Sequence, residues 1–212
     1  TISDGDLSTL DGLSETGNAY TITITDTSVD SAALNTLDGK TTVAIKATPV
    51  TTLTGSASDL VTAYASGGIS NLGDEAVSVN SGTASTSQAN TLAAATSGVV
   101  TATLSDGDLS TLAGLTETGN AYSITITDTS VDAAALNTLD GKTTVAINAS
   151  NITTLTGSAT ELSTAFASSG ISGLANEAVT LSDTTLAASI LNTLDGNTTG
   201  TVNAGTVTTL TG

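Results

Sequence analysis

The sequence predicts an α/β fold built as a right-handed solenoid of about nine coils, each a short strand followed by a short helix, with the strands stacked into a parallel sheet. Three observations predict it. The chain repeats itself at an offset of 102 residues, a beat of 21–22 residues runs inside each repeat, and within a beat the apolar spacing passes from strand-like to helix-like.

The long repeat comes first. Residues 18–47 read NAYTITITDTSVDSAALNTLDGKTTVAIKA, and residues 120–149 differ from them at three of 30 positions. The same offset aligns ISDGDLSTL with LSDGDLSTL and TTLTGSASDL with TTLTGSATEL. The chain is therefore read as one module over 1–102 and a second over 103–212 that ends in the start of a third, all in one continuous array.

Inside a module an apolar anchor recurs at Ile2, Ile24, Ile45 and Val79, then at Leu104, Ile126, Ile147, Leu181 and Val202, so steps of 21–22 are interrupted by one of 34 in each module and one of 25 between the modules. The clearest coil is TITITDTSVDSAALNTLDGKTT. Ile22 and Ile24 alternate with Thr21, Thr23 and Thr25, which is the period-2 pattern of a β-branched strand. Asp26 or Ser28 is placed to cap the helix that follows. Val29, Ala33, Leu34 and Leu37 form its apolar stripe, and Asp38-Gly39 ends it, with glycine expected in the left-handed conformation.

The long step carries its own helix signal. Ser56-x-x-Asp59 and Ser158-x-x-Glu161 have capping-box spacing, Leu60, Ala63 and Tyr64 or Leu162, Ala165 and Phe166 supply the apolar side, and Gly67-Gly68 and Gly170 close the segment. Strands joined by crossovers of this size run parallel, and such crossovers are right-handed. The resulting cross-section is leucine-rich-repeat-like. An all-β solenoid is the alternative, because Thr and Gly weaken short helices.

Composition narrows the function. Three lysines (Lys40, Lys46, Lys142) face 20 acidic residues, a net charge of −17 with no arginine, so no basic stripe exists for nucleic acid or anionic lipid. There is no His, Cys, Met or Trp and there are four aromatic rings in all, which suits a thin core of small aliphatic groups. No apolar run approaches the ~20 residues of a membrane span.

Without His or Cys, nucleophilic triads, histidine acid–base pairs and thiolate zinc sites are excluded. Asp4/Asp6, Asp106/Asp108 and Asp26/Asp30 are the carboxylate pairs a glycosidase would need, but the aromatic platforms of a sugar groove are missing. Neither catalytic, nor cofactor-binding, nor metal-ligating residues are therefore assigned. The Asp-Gly-Asp pairs at 4–6 and 106–108 leave two readings open: calcium ligation, or capping of the Leu7-x-x-Leu10 and Leu109-x-x-Leu112 turns. Capping is preferred, since the further carboxylates of a calcium loop are absent. The Thr21, Thr23, Thr25 row raises an ice-binding reading, weakened because the next coils place Ala44, Lys46, Ser78 and Asn80 there.

At AALNTLDGKTT, LNTLDGNTTGTVNAGTVTTLTG and GISGLANEAV the chain resembles the long Thr/Ala/Leu repeats of very large secreted or cell-surface proteins of marine cyanobacteria and related bacteria. That resemblance implies an extracellular scaffold, adhesin or motility-associated surface protein. The expected function is a non-catalytic spacer, with neighbouring repeats of the same chain as its main partners. An adhesive module for a glycan, calcium or a surface protein is the second possibility, and membrane insertion is not expected. Helices at 56–68 and 158–170 separate the two readings: a shared exposed aromatic patch favours binding, and inward Tyr64 and Phe166 favour a spacer. Because neither end carries a polar capping unit, the segment is expected to belong to a longer array and to stack end to end.

Overall fold

In the computed structural model, which describes residues 1–212, the chain gathers into two units, Thr1–Ser105 with Gly119–Tyr122 and Asp106–Thr118 with Ser123–Gly212. Each is mixed α/β, with strands and helices alternating and parallel pairing between strands. No sheet closes on itself, and no helix is long and apolar enough to cross a membrane.

Unit 1 runs α1 (Leu7–Leu10), β1 (Ser28–Asp30), α2 (Ser31–Asp38), β2 (Ile45–Lys46), β3 (Thr52–Ser56), α3 (Ala57–Ala65), β4 (Ile69–Ser70), β5 (Ala76–Ser81), α4 (Thr86–Ala95) and β6 (Val100–Thr103), with β7 (Ala121–Ser123) joining later. Its main sheet has the order β1-β3-β5-β6-β7, and β2 pairs with β4 in a second, shorter ladder. Unit 2 repeats the plan. It contains α5 (Leu109–Leu112), β8 (Ser130–Asp132), α6 (Ala133–Asp140), β9 (Ile147–Asn148), β10 (Thr154–Gly157), α7 (Ala159–Ala167), β11 (Ile171–Ser172), β12 (Ala178–Leu181), β13 (Thr185–Ala187), α8 (Ala188–Asn197), β14 (Val202–Asn203) and β15 (Thr209–Thr211). There the sheet order is β14-β12-β10-β8, beside the pairs β11-β9 and β13-β15.

Register corrects the expected beat. Val29 pairs with Leu53 and Leu53 with Val77, Ile45 pairs with Ile69, and Val131 pairs with Leu155, each a step of 24 residues, while Val77 to Val100 and Thr23 to Lys46 are steps of 23. The 21–22 beat with an inserted 34 arose from counting apolar anchors that sit on different ladders. Two strand segments, one before each long helix and one after it, replace the single strand expected per coil, and eight helices replace nine coils. The segments at 56–68 and 158–170 are thus ordinary helices of the series rather than insertions.

The local chemistry explains where the elements begin. Ile22 and Ile24 are fully buried while Thr23 and Thr25 are exposed, as the alternation requires. Val29 belongs to strand β1 rather than to the helical stripe, because a β-branched residue there gains the Leu53 partner across the ladder. The helix consequently starts later than expected, and its cap is Asp30, whose carboxylate accepts from the Ala33 amide at 3.1 Å. Asp26 reaches back instead to the Leu7 amide at 2.8 Å. The buried face of α2 is Ser31, Leu34 and Leu37, and that of α6 is Ala133, Leu136 and Leu139. Gly39 has φ −65°, so it continues the right-handed turn and does not take the left-handed conformation.

Ser158 and Glu161 form the full capping box expected of them. Ser56 caps the Asp59 amide at 3.1 Å, but the Asp59 carboxylate accepts from the Ser56 hydroxyl at 2.6 Å and the box is incomplete. A second complete box, Ser85 with Gln88, opens α4, a helix the periodicity did not single out.

One difference between the modules is informative. Ser31 is buried with a hydroxyl that has no partner, and its counterpart at the 102-residue offset is Ala133. Removing an unsatisfied buried hydroxyl recovers its desolvation cost, so Ser31→Ala is expected to stabilise by about 1 kcal/mol. Chemical denaturation reads it, and a destabilised variant would show that the hydroxyl has a partner after all.

Candidate functional site

The long helices α2, α3, α4, α7 and α8 are each followed by a hydroxyl that ties one turn of chain to the turn before it. Thr41 accepts the Val43 amide at 3.1 Å and donates to the Tyr20 carbonyl at 2.8 Å. Ser66 accepts from Gly68 at 3.0 Å and donates to Asp38 Oδ2 at 2.6 Å, and Thr96 accepts from Gly98 at 3.0 Å and donates to the Glu75 carbonyl at 2.7 Å. In unit 2, Ser168 hooks Asp140 and Thr198 hooks the Glu177 carbonyl with matching distances. Asparagine adds a second tie, since Asn35 Nδ2 donates to the Asp59 carbonyl and Asn137 Nδ2 to the Glu161 carbonyl, both at 2.9 Å.

Asp4, Asp6 and Asp108 accept backbone amides as caps do. Asp4 Oδ1 accepts from the Asp6 amide at 3.0 Å, and Asp6 Oδ1 accepts from the Ser8 amide, the Ser8 hydroxyl and the Thr9 amide. In unit 2, Asp108 Oδ1 accepts from the Thr111 amide at 3.0 Å and from the Ser110 hydroxyl. These bonds, with the serine hydroxyl leading, hold Asp6 and Asp108 below the usual carboxylate range, and the Ser158 amide does the same for Glu161.

Beside α1 lies a shallow acidic cleft containing Asp6, Asp11, Asp26 and Asp30, and beside α5 lies its repeat with Asp108, Asp128 and Asp132. Asp26 and Asp30, considered as a glycosidase pair, cap two different helices. Asp128 likewise accepts from the Leu109 amide at 2.7 Å. No three carboxylates converge in a group that could hold a metal ion.

Two glutamates outside the candidate carboxylate pairs above are fully buried, Glu75 in unit 1 and Glu177 in unit 2. Tyr64, half-buried, donates from Oη to Glu75 Oε2 at 2.9 Å. Burial, and after it the Glu75 carboxylate, push the Tyr64 phenol well above the ordinary tyrosine range and keep it a donor. The signal in the sequence is a Glu placed directly before the alternating strands AVSV and AVTL.

On the helical side of unit 2, a groove of roughly 700 Å³ crosses α6, α7 and α8, lined by small residues such as Ala159, Ser163 and Ala167 together with Ile190, which is 41% exposed. Phe166 is half-buried and does not line this groove. Comparison of the chain with known families, curated proteins and solved structures finds no match.

Proposed function

We propose that this chain is a non-catalytic structural repeat segment, a solenoid of α/β coils that serves as spacer or scaffold in a larger extracellular or cell-surface protein. The observation that carries the reading is the recurrent tie between successive turns: parallel ladders at steps of 23–24 residues, reinforced by a hydroxyl hook after α2, α3, α4, α7 and α8. Such ties repeat with the sequence and have no reacting centre among them. The scaffold reading is preferred to an adhesive one because Tyr64, the aromatic ring of the first module's long-step helix, is committed to a buried carboxylate. A surface role outside the cell is supported by the resemblance of the AALNTLDGKTT phrases and by the acidic composition.

Length is the test. If coils stack at the parallel-strand spacing, one added 102-residue module of four helices lengthens the particle by about 20 Å at constant cross-section. Small-angle scattering of chains with two and three modules reads this directly. Growth equal in all directions would overturn the solenoid.

The same reading makes β15, whose own Leu210 is 58% exposed, an edge that accepts another coil. Added salt screens the repulsion between chains of charge −17 and is expected to promote end-to-end association. A sedimentation profile that stays monomeric into the millimolar range in high salt would refute the association.

A further inference from the structure

The two buried glutamates are held unequally. Around Glu75, the Gly73 amide donates to both carboxylate oxygens, at 3.0 and 2.9 Å, and Tyr64 Oη donates to Oε2. Around Glu177 only the Ala175 amide donates, to Oε1 at 3.2 Å, and Oε2 is buried without a partner. The sequence differs at both donors: Phe166 occupies the Tyr64 position of the repeat and has no hydroxyl to give, and Ala175 stands where unit 1 has Gly73. Both side chains are fully shielded from water, so solvent does not make up the difference.

From this asymmetry we infer that the turn carrying Glu177 is a built-in opening point, where unit 2 releases β12 from its neighbours β10 and β14 by local unfolding, while the equivalent turn of unit 1 is latched by Tyr64. Local opening selects the places where buried polar groups are least satisfied, since exposing them to water recovers what burial costs. The residue at the Tyr64/Phe166 position is therefore a latch, present in one module and absent from the next. An array built this way yields at defined turns and holds at others.

Amide exchange tests this with an internal control. Ala76 and Val77 donate to Thr51 and Val99 at 3.0 and 2.9 Å, and their counterparts Ala178 and Val179 donate to Thr153 and Thr201 at 2.8 Å. Both pairs sit in the same Glu-Ala-Val context, so their intrinsic exchange rates are alike. Ala178 and Val179 are expected to exchange about tenfold faster than Ala76 and Val77, a ratio of the size one lost hydrogen bond to a charged group produces. Phe166→Tyr is expected to slow Ala178 and Val179 toward the unit 1 rates, and Tyr64→Phe to speed Ala76 and Val77 by a similar factor. Fraying from a nearby chain end would speed exchange in unit 2 but would not respond to residue 166. Equal rates in the two pairs, or failure of either variant to move its own pair, overturns the inference.

Discussion

Replacing Leu136 and Leu139 together with Asp is expected to abolish the cooperative melting of unit 2. Both leucines are on the buried face of α6, at 0% and 2% exposure, so neither aspartate can reach water without moving the helix. Each substitution forfeits about 2–3 kcal/mol of apolar burial. Each also asks for an unpaired carboxylate in the interior, which costs several kcal/mol more whether it ionises or takes a proton. Two such losses together match the roughly 5–15 kcal/mol by which a whole domain is stable. Thr138→Asp, one residue from Leu139 on the exposed face of the same helix, serves as the control and is expected to leave the melt nearly unchanged. Circular dichroism and thermal melting read the result. A double variant that kept both the spectrum and the melting temperature would show that the leucine stripe is not core.

Much of this core was legible in the residues, and the reasons differ from element to element. Ile22 and Ile24, Leu34 and Leu37, and Leu60 and Ala63 are buried as their spacing implies, because apolar periodicity reports directly on which side of an element meets its neighbour. Ser158-x-x-Glu161 was legible because a capping box is local: all its partners lie within four residues. Register was not legible, since Val29 had to be assigned to strand or helix by a partner, Leu53, that lies 24 residues away. Asp26 was misplaced for the same reason, its carboxylate serving an amide 19 residues earlier rather than the helix next to it. Glu75 and Glu177 escaped notice because an acidic residue before a strand ordinarily faces solvent, and only the turn that wraps over them puts them inside.

That wrapping turn gives the second large effect, at Gly98. Its amide is held by Thr96 Oγ1, and the same hydroxyl grips the Glu75 carbonyl, so the Thr96–Gly98 turn closes directly over the backbone of the preceding turn of chain. A Cβ at position 98 would overlap the Glu75 carbonyl oxygen and stand 2.8 Å from the Ala76 nitrogen. Flexible side chains can yield to such a clash, but backbone fixed in a ladder cannot, and Ala76 and Val77 are bonded to Thr51 and Val99 on either side. Gly98→Ala is therefore expected to destabilise unit 1 by about 3 kcal/mol, the upper end of ordinary overpacking. Gly200→Ala is expected to do the same to unit 2, where the added methyl meets the Glu177 carbonyl. Gly67 supplies the contrast, because nothing lies within 4 Å of a Cβ there and its φ is not left-handed. Gly67→Ala should be neutral or stabilise by about 0.5 kcal/mol through loss of unfolded-state freedom. If denaturant midpoints for the Gly67 and Gly98 variants coincided, the close passage of one turn over the next would be wrong.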